Sequence, residues 1–306
     1  MNRFNGIKLR SSALIVAAVF CLSGLLGAAC PSMDLTGNCR VDLHDFALLA
    51  KDWISVYDMD DLAALAEQWL TEGLPDITWV AIEDPNFVGE MSRYETTNAQ
   101  YAQFLNTALH SGDIIVDPAD PNYIIAAAGE YQGKRLYQLN GPGKPEDVVT
   151  DGGASRIIHN DGIFTVASGF EDHPVTYVSL YGASMFADYY GWRLPTEEEW
   201  QGVANYYGNF IYGCGETIDN TKANYLGSDH PDGTTSVGGF GYYGYGMADL
   251  AGNVQEWTTT VGDNDETSFA TKGGWWFANE TFCVIDSKTP ARSAGMYRYL
   301  GFRVCR

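Results

Sequence analysis

Glycine and tyrosine, 34 and 19 of the 306 residues, punctuate the chain too often for long helices to persist. Glycine in a helix interior costs roughly 1 kcal/mol relative to alanine, and tyrosine supplies large rings that can pin irregular backbone. The chain is therefore expected to form a loop-rich fold held by aromatics, not a helical bundle. A hydrophobic content of 45% and an aromatic content of 13% allow a packed core and exclude wholesale disorder. Lys+Arg number 18 against 39 Asp+Glu, a formal charge of -21. That field repels phosphate backbones, so no nucleic-acid partner is expected.

Residues 1–29 read as a signal peptide. Arg3, Lys8 and Arg10 form a basic start, Ala13 to Leu26 is apolar or small, and Gly27-Ala28-Ala29 offers small residues for cleavage. The apolar run is shorter than the roughly 20 residues a membrane helix needs, and no second stretch approaches that length. The expectation is a secreted, extracytoplasmic protein with no membrane span. Cys30 would then be a candidate for lipid anchoring, but Gly27 stands where a lipobox usually has leucine. Beyond the signal lie Cys30, Cys39, Cys214, Cys283 and Cys305. An oxidising compartment favours pairing, and an odd count leaves one thiol over.

Asp34 to Ile54, DLTGNCRVDLHDFALLAKDWI, reads as a calcium loop running into a helix. Asp34, Thr36, Asn38, Asp42 and Asp45 occupy loop positions 1, 3, 5, 9 and 12, and Arg40 would give its backbone carbonyl at position 7. Phe46, Leu49 and Trp53 recur at helical spacing. Residues 57–70 repeat residues 41–54 without the front half of the loop. The pair resembles a dockerin type I module, a small helical EF-hand-like unit over residues 30–72. The position 6 glycine is replaced by Cys39, and one calcium ion is expected instead of two. The resemblance implies a cohesin-like or cell-surface partner; a calcium-stabilised spacer fits the same residues.

From Asp76 onward the pattern changes. Ile77 to Ile82 is strand-like. Thr97-Asn-Ala-Gln100 and Thr196-Glu-Glu-Glu199 are capping boxes. The first should open a helix with Tyr101, Phe104 and Leu105 on its apolar face. The second accounts for the acidic turn Glu197–Glu199 without catalysis, since negative charge suits a helix N-terminus. Asp117 to Ser155 should be loops with short strands, Val175 to Ser179 a strand, and Leu180 to Tyr190 a helix.

Five stretches then occur in one family's order: Tyr94-Glu-Thr-Thr-Asn-Ala-Gln-Tyr101, Trp192-Arg-Leu-Pro-Thr-Glu-Glu-Glu-Trp200, Tyr245-Gly-Met-Ala-Asp-Leu-Ala-Gly-Asn-Val-Gln-Glu-Trp-Thr258, Gly273-Gly-Trp-Trp276 and Gly301-Phe-Arg303. Residues 76–306 closely resemble the formylglycine-generating, or sulfatase-modifying factor, domain. The resemblance implies a compact α+β fold related to C-type lectins. It also implies calcium at Gly252, Asn253, Val254 and Glu256, and a second calcium at Asn224, Tyr225 and Asp229, where simple Asx turns are the competing explanation.

Active members of that family oxidise a cysteine to formylglycine with oxygen and a copper(I) ion held by two thiolates. Carried over, the motif serine falls on Trp275 and the first cysteine on Ala278, and only the second cysteine matches, at Cys283. Copper is therefore not expected, nor is the canonical oxidation. Cys283 would serve structure, through a disulfide to Cys305 or Cys214 or as a buried thiol; a reactive thiol is the remaining alternative. Three functions stay open: a binding module presenting Trp275 to Tyr299 and Arg292 or Arg298 to a glycan or peptide, a divergent oxidoreductase acting on a peptide or small molecule, and an interaction protein recruited through its dockerin-like part.

Overall fold

A computed structural model of the chain describes residues 35, 43–51, 61–62, 74–139, 155–230, 233–262 and 265–306. The chain divides into two compact units, residues 1–73 and 74–306. The signal segment, Cys30, Cys39, Trp53 and the loop residues Asp34, Thr36, Asn38, Arg40 and Asp42 lie outside the described residues. In the first unit, helix α1 spans Leu43–Lys51. Asp45 and Leu49 are buried in it, whereas Phe46 is exposed.

The second unit is an α+β fold of short elements. Strands β1 (Trp79–Asp84) and β2 (Phe87–Ser92) form an antiparallel hairpin. Helix α2 (Asn98–Ser111) starts at the expected capping box, with Thr97 accepting from the Gln100 amide, and stops at Gly112 in the left-handed conformation. Strands β3 (Ile114–Val116), β4 (Tyr123–Ala126) and β5 (Arg135–Gln138) make a three-stranded sheet. β6 (Ile157–Asn160) and β7 (Ile163–Val166) form a second hairpin. Helices α3 (Leu180–Tyr189) and α4 (Glu197–Asn205) follow, α4 opened by the Thr196–Glu199 box. Val175–Ser179 is not a ladder strand. Isolated bridges join Thr97 to Pro174 and Tyr137 to Val178, and Tyr177 between them takes a left-handed backbone with φ 60°, which breaks any continuous ladder.

The C-terminal third supplies the largest sheet, in the order β10-β9-β8-β11. β8 (Gln255–Gly262), β9 (Asp265–Lys272) and β10 (Thr289–Arg292) are antiparallel neighbours, and β11 (Leu300–Gly301) runs parallel to β8. Alternate side chains leave a strand on opposite faces. Trp257 therefore enters the main core with Tyr101, Phe104, Phe186 and Phe302, while Trp200 of α4 fills a second core with Ile82, Met91 and Leu250. Full burial of such rings stabilises the fold by about 1.5–3 kcal/mol each. Among the described residues no helix is long and apolar enough to cross a membrane.

Candidate functional site

The segment from Gly273 to Cys283 leaves β9 through two glycines with φ of 94° and 73°. A Cβ at Gly274 would lie 2.6 Å from the Cys283 sulfur, so the turn both needs left-handed backbone and has no room for a side chain. Trp275 then packs against Tyr299, Phe282 and Phe277 with ring centroids 5.0, 5.0 and 5.6 Å away. Tyr297 continues the stack on Tyr299 at 5.4 Å and 19°. The Arg298 guanidinium lies 4.6 Å from the centre of the Phe277 ring, within cation–π range. The Trp275 Nε1 is buried without a hydrogen-bond partner, which marks the ring as a space-filler.

Cys283 follows a single 3₁₀ turn, Glu280–Phe282, capped by the Asn279 side chain. It is fully buried with Cys214, Ala223 and Ala251. Cys214, Cys283 and Cys305 are all free thiols, so the expected disulfide of Cys283 with Cys214 or Cys305 is not formed. For Cys305 the reason is placement, since it sits in the Trp200 core beside the Arg193 carbonyl. Burial pushes Cys283 up to about 12 and Cys214 up to about 11. Both are thiols at neutral pH, and neither is an activated nucleophile.

A second constellation lies where β8 and β11 meet. Arg303 is fully buried and grips Glu256 through Nε at 2.6 Å and Nη2 at 2.7 Å. Its remaining donors reach the carbonyls of Ser92, Arg93 and Ala248 at 3.2, 2.9 and 3.0 Å, so all five N–H groups are used. Trp200 Nε1 donates to the same Glu256 carboxylate at 2.8 Å. Beside them, the buried Glu95 accepts from Asn253 Nδ2 at 2.6 Å and from the Val254 amide at 3.0 Å. Asp249 accepts from the Gly238 amide at 2.6 Å. Burial, then the charges of Asp249 and Glu256, hold the Glu95 carboxyl well above its usual range. Burial pushes Asp249 up to about 6. Three carboxyl groups thus share one guanidinium.

These positions revise the metal expectations. Both Glu256 oxygens are committed to Arg303 and Trp200, and a calcium ion would have to displace a fully buried guanidinium, so Glu256 does not fit that role. Asn253, at φ 59°, sends its amide to Glu95 and accepts from the Thr235 amide. Its backbone N–H donates to the Asn224 carbonyl at 2.7 Å. Gly252 and Val254 are buried beside it. Asn224 accepts from Ser228, Tyr225 is half-buried and Asp229 is exposed. The structure therefore joins Asn224 to Asn253 and leaves Asp229 apart. Glu95, Asp249 and Arg303 lie within the motifs, but their spacing assigns them no role; the available signal is acids and a C-terminal arginine in one motif set. Of the two partners expected for Cys283, Cys214 is the one beside it, as a second free thiol and not through a disulfide.

A family model described as a sulfatase-modifying factor enzyme 1-like domain matches residues 82–306. Formylglycine-generating enzyme from Bos taurus is 26% identical over 246 residues, 70% of this chain and 64% of its own length. Serine/threonine-protein kinase pkn1 from Chlamydia caviae is 44% identical over 105 residues, 34% of this chain but only 16% of the kinase. The chain thus spans less than two thirds of either relative. Among solved structures, CarF superposes with a TM-score of 0.52 at 18% identity, covering 75% of this chain and 98% of CarF; that likeness is one of fold.

Proposed function

The chain belongs to the sulfatase-modifying factor enzyme 1-like family, and from that premise we propose that it is an exported, non-catalytic binding module. The observation that carries this reading is the pair of replacements at the motif, Trp275 and Ala278, set against the buried Cys283. A soft copper(I) ion is held well by thiolates. Ala278 has no thiol, and the Cys283 thiol is pushed up to about 12 by burial, so these residues do not fit copper. By the family resemblance Trp275 stands at the motif serine, so its ring, packed with Phe277, Phe282 and Tyr299, would fill the space where a peptide would meet oxygen. The half-buried rings of Trp275, Tyr297 and Tyr299, with Arg298, are the proposed face for a glycan or peptide.

The test is direct. The purified chain, supplied with copper(I) and a peptide containing Cys-X-Pro-X-Arg, should form no formylglycine; turnover, or tight stoichiometric copper, would overturn the reading. A glycan array should give signal that Trp275→Ala removes. A second reading, a divergent oxidoreductase acting on a peptide or small molecule, draws on Cys214, a second thiol in the cluster of Cys283. It requires oxygen uptake that disappears in Cys214→Ser and Cys283→Ser. For the first unit we keep calcium as the proposed ion, with the buried Asp45 as one ligand. Chelation should then lower its helix content and release a cohesin-like or cell-surface partner.

A further inference from the structure

Helix α4 covers only part of one face of the β8–β9–β10 sheet. Beyond the N-terminus of α4 that face is open. It forms a cavity of about 440 Å³ lined by Asp265, Ser268 and Ala270 of β9 and by Lys288, Pro290 and Arg292 along β10. The volume lies in the range of small-molecule sites, roughly 300–1,000 Å³. Register explains the lining. Ser268 pairs with Arg292 and Ala270 with Pro290, and residues two apart share a face, so Lys272 is the next member of the row and Lys288 stands opposite it.

Charge on this row departs from the rest of the molecule. The whole chain has 18 cations against 39 acids, yet Lys272, Lys288 and Arg292 gather here. The acids nearby are largely committed. Glu197 is shared, with Lys272 Nζ 3.7 Å from one oxygen and Lys288 Nζ 3.5 Å from the other. Asp265 Oδ1 accepts from the Thr267 amide and hydroxyl at 2.8 and 2.7 Å. Asp286 adds one more carboxylate acting on Lys272. Lys272 itself is fully buried, and its Nζ has no hydrogen-bond partner. A buried ammonium whose ion pair to Glu197 is longer than a hydrogen bond is costly, and it lies in the row whose outer end is open to solvent at Arg292.

We propose that this cavity binds a small polar ligand through an oxyanion (carboxylate, sulfate or phosphate), with Arg292 and Lys288 as its direct partners, beside Ser268, whose hydroxyl donates to the Asp265 carbonyl at 3.0 Å. Lys272 supports the site from below as a buried positive charge. Burial brings Lys272 down to about 8, and an anion bound above it would draw its titration back up.

The experiment titrates the full chain with sulfate against chloride at matched ionic strength, and with galacturonate against galactose, following melting temperature and backbone amide shifts. Saturable responses to sulfate or galacturonate, absent for chloride and galactose and centred on residues 265–272 and 288–292, are expected. A stronger response to galacturonate identifies an acidic sugar as the source, and an equal or stronger one to sulfate identifies a free oxyanion. Lys288→Ala/Arg292→Ala should weaken binding at least about tenfold, the loss of two charge-assisted contacts, with the melting temperature in chloride unchanged because both residues are exposed. No saturable response, shifts mapping elsewhere, or unchanged affinity in the double variant would each overturn the site. The amide map of the unmutated protein decides the matter even if that variant misfolds.

Discussion

The knot around Arg303 and the segment from Gly273 to Cys283 both derive from family motifs, and they have fared differently. In the knot, residues of four motifs interlock: Glu95, Trp200, Glu256 and Arg303 touch through buried hydrogen bonds of 2.6–3.0 Å, by way of Asn253 and Val254 in the case of Glu95. In the segment, the glycine turn and Cys283 persist, but the positions that would carry chemistry are a tryptophan and an alanine. The contrast separates what a scaffold needs from what a reaction needs. A buried guanidinium shared by several carboxyl groups tolerates no single loss, whereas a half-buried aromatic stack tolerates exchange on the proposed reading, in which no substrate has to fit there.

The largest effect should come from Arg303→Met. Removing one member of a buried ion pair leaves the other uncompensated, a loss of about 3–5 kcal/mol, and here Glu256, Glu95 and Asp249 would all be left without a cation. Urea unfolding should show that loss or failure to fold; a loss under about 1 kcal/mol would sink the knot as the scaffold's centre. Next, Cys283→Ser places a hydroxyl among Cys214, Ala223 and Ala251. It should cost about 1–3 kcal/mol and leave ligand binding at the aromatic face unchanged. A loss of binding with intact stability would return Cys283 to a functional role.

The pH dependence of the knot follows from Asp249. Its folded carboxyl is raised to about 6 by burial, so the folded state holds the proton more tightly than the unfolded one. The associated stability is complete below the ordinary carboxylate range and is lost as pH rises through about 6. Between pH 5 and pH 8 the chain should lose about 1.4 kcal/mol from this group, and Glu95, raised for the same reason, acts in the same direction. Asp249→Asn should flatten the profile. A stability that rises over this window would contradict the buried, shared-cation arrangement.

Much of this was legible in the sequence because it is local. Thr97 with Gln100 and Thr196 with Glu199 form the capping boxes that their spacing announces, and the ordered motifs imply the fold. What the sequence left hidden depends on contacts far apart in the chain. The family resemblance implied a calcium role for Glu256; only the parallel pairing of β11 with β8 shows that Arg303 takes both oxygens. Cys214 lies far from Cys283 along the chain, and the bridge from Tyr212 to Val284 brings the two segments together. Lys272 is charged and would be expected at the surface, yet its strand row runs beneath α4.

The smallest predicted effect is that of Trp275→Phe, set against Trp200→Phe. In Trp200→Phe the ring volume largely survives, but the Nε1 donor to Glu256 is lost, and a buried carboxylate oxygen with a donor removed costs about 1–3 kcal/mol. In Trp275→Phe the lost Nε1 has no partner, while contacts to Tyr299 and Phe282 can be kept by a smaller ring. Removing an unsatisfied donor offsets the lost area, so the change should lie within about 0.5 kcal/mol of zero. Equilibrium unfolding of the two variants side by side checks the difference. Equal losses would mean that Trp275 is held by the same kind of polar anchoring as Trp200, and the distinction between an interlocked scaffold and an exchangeable fill would fail.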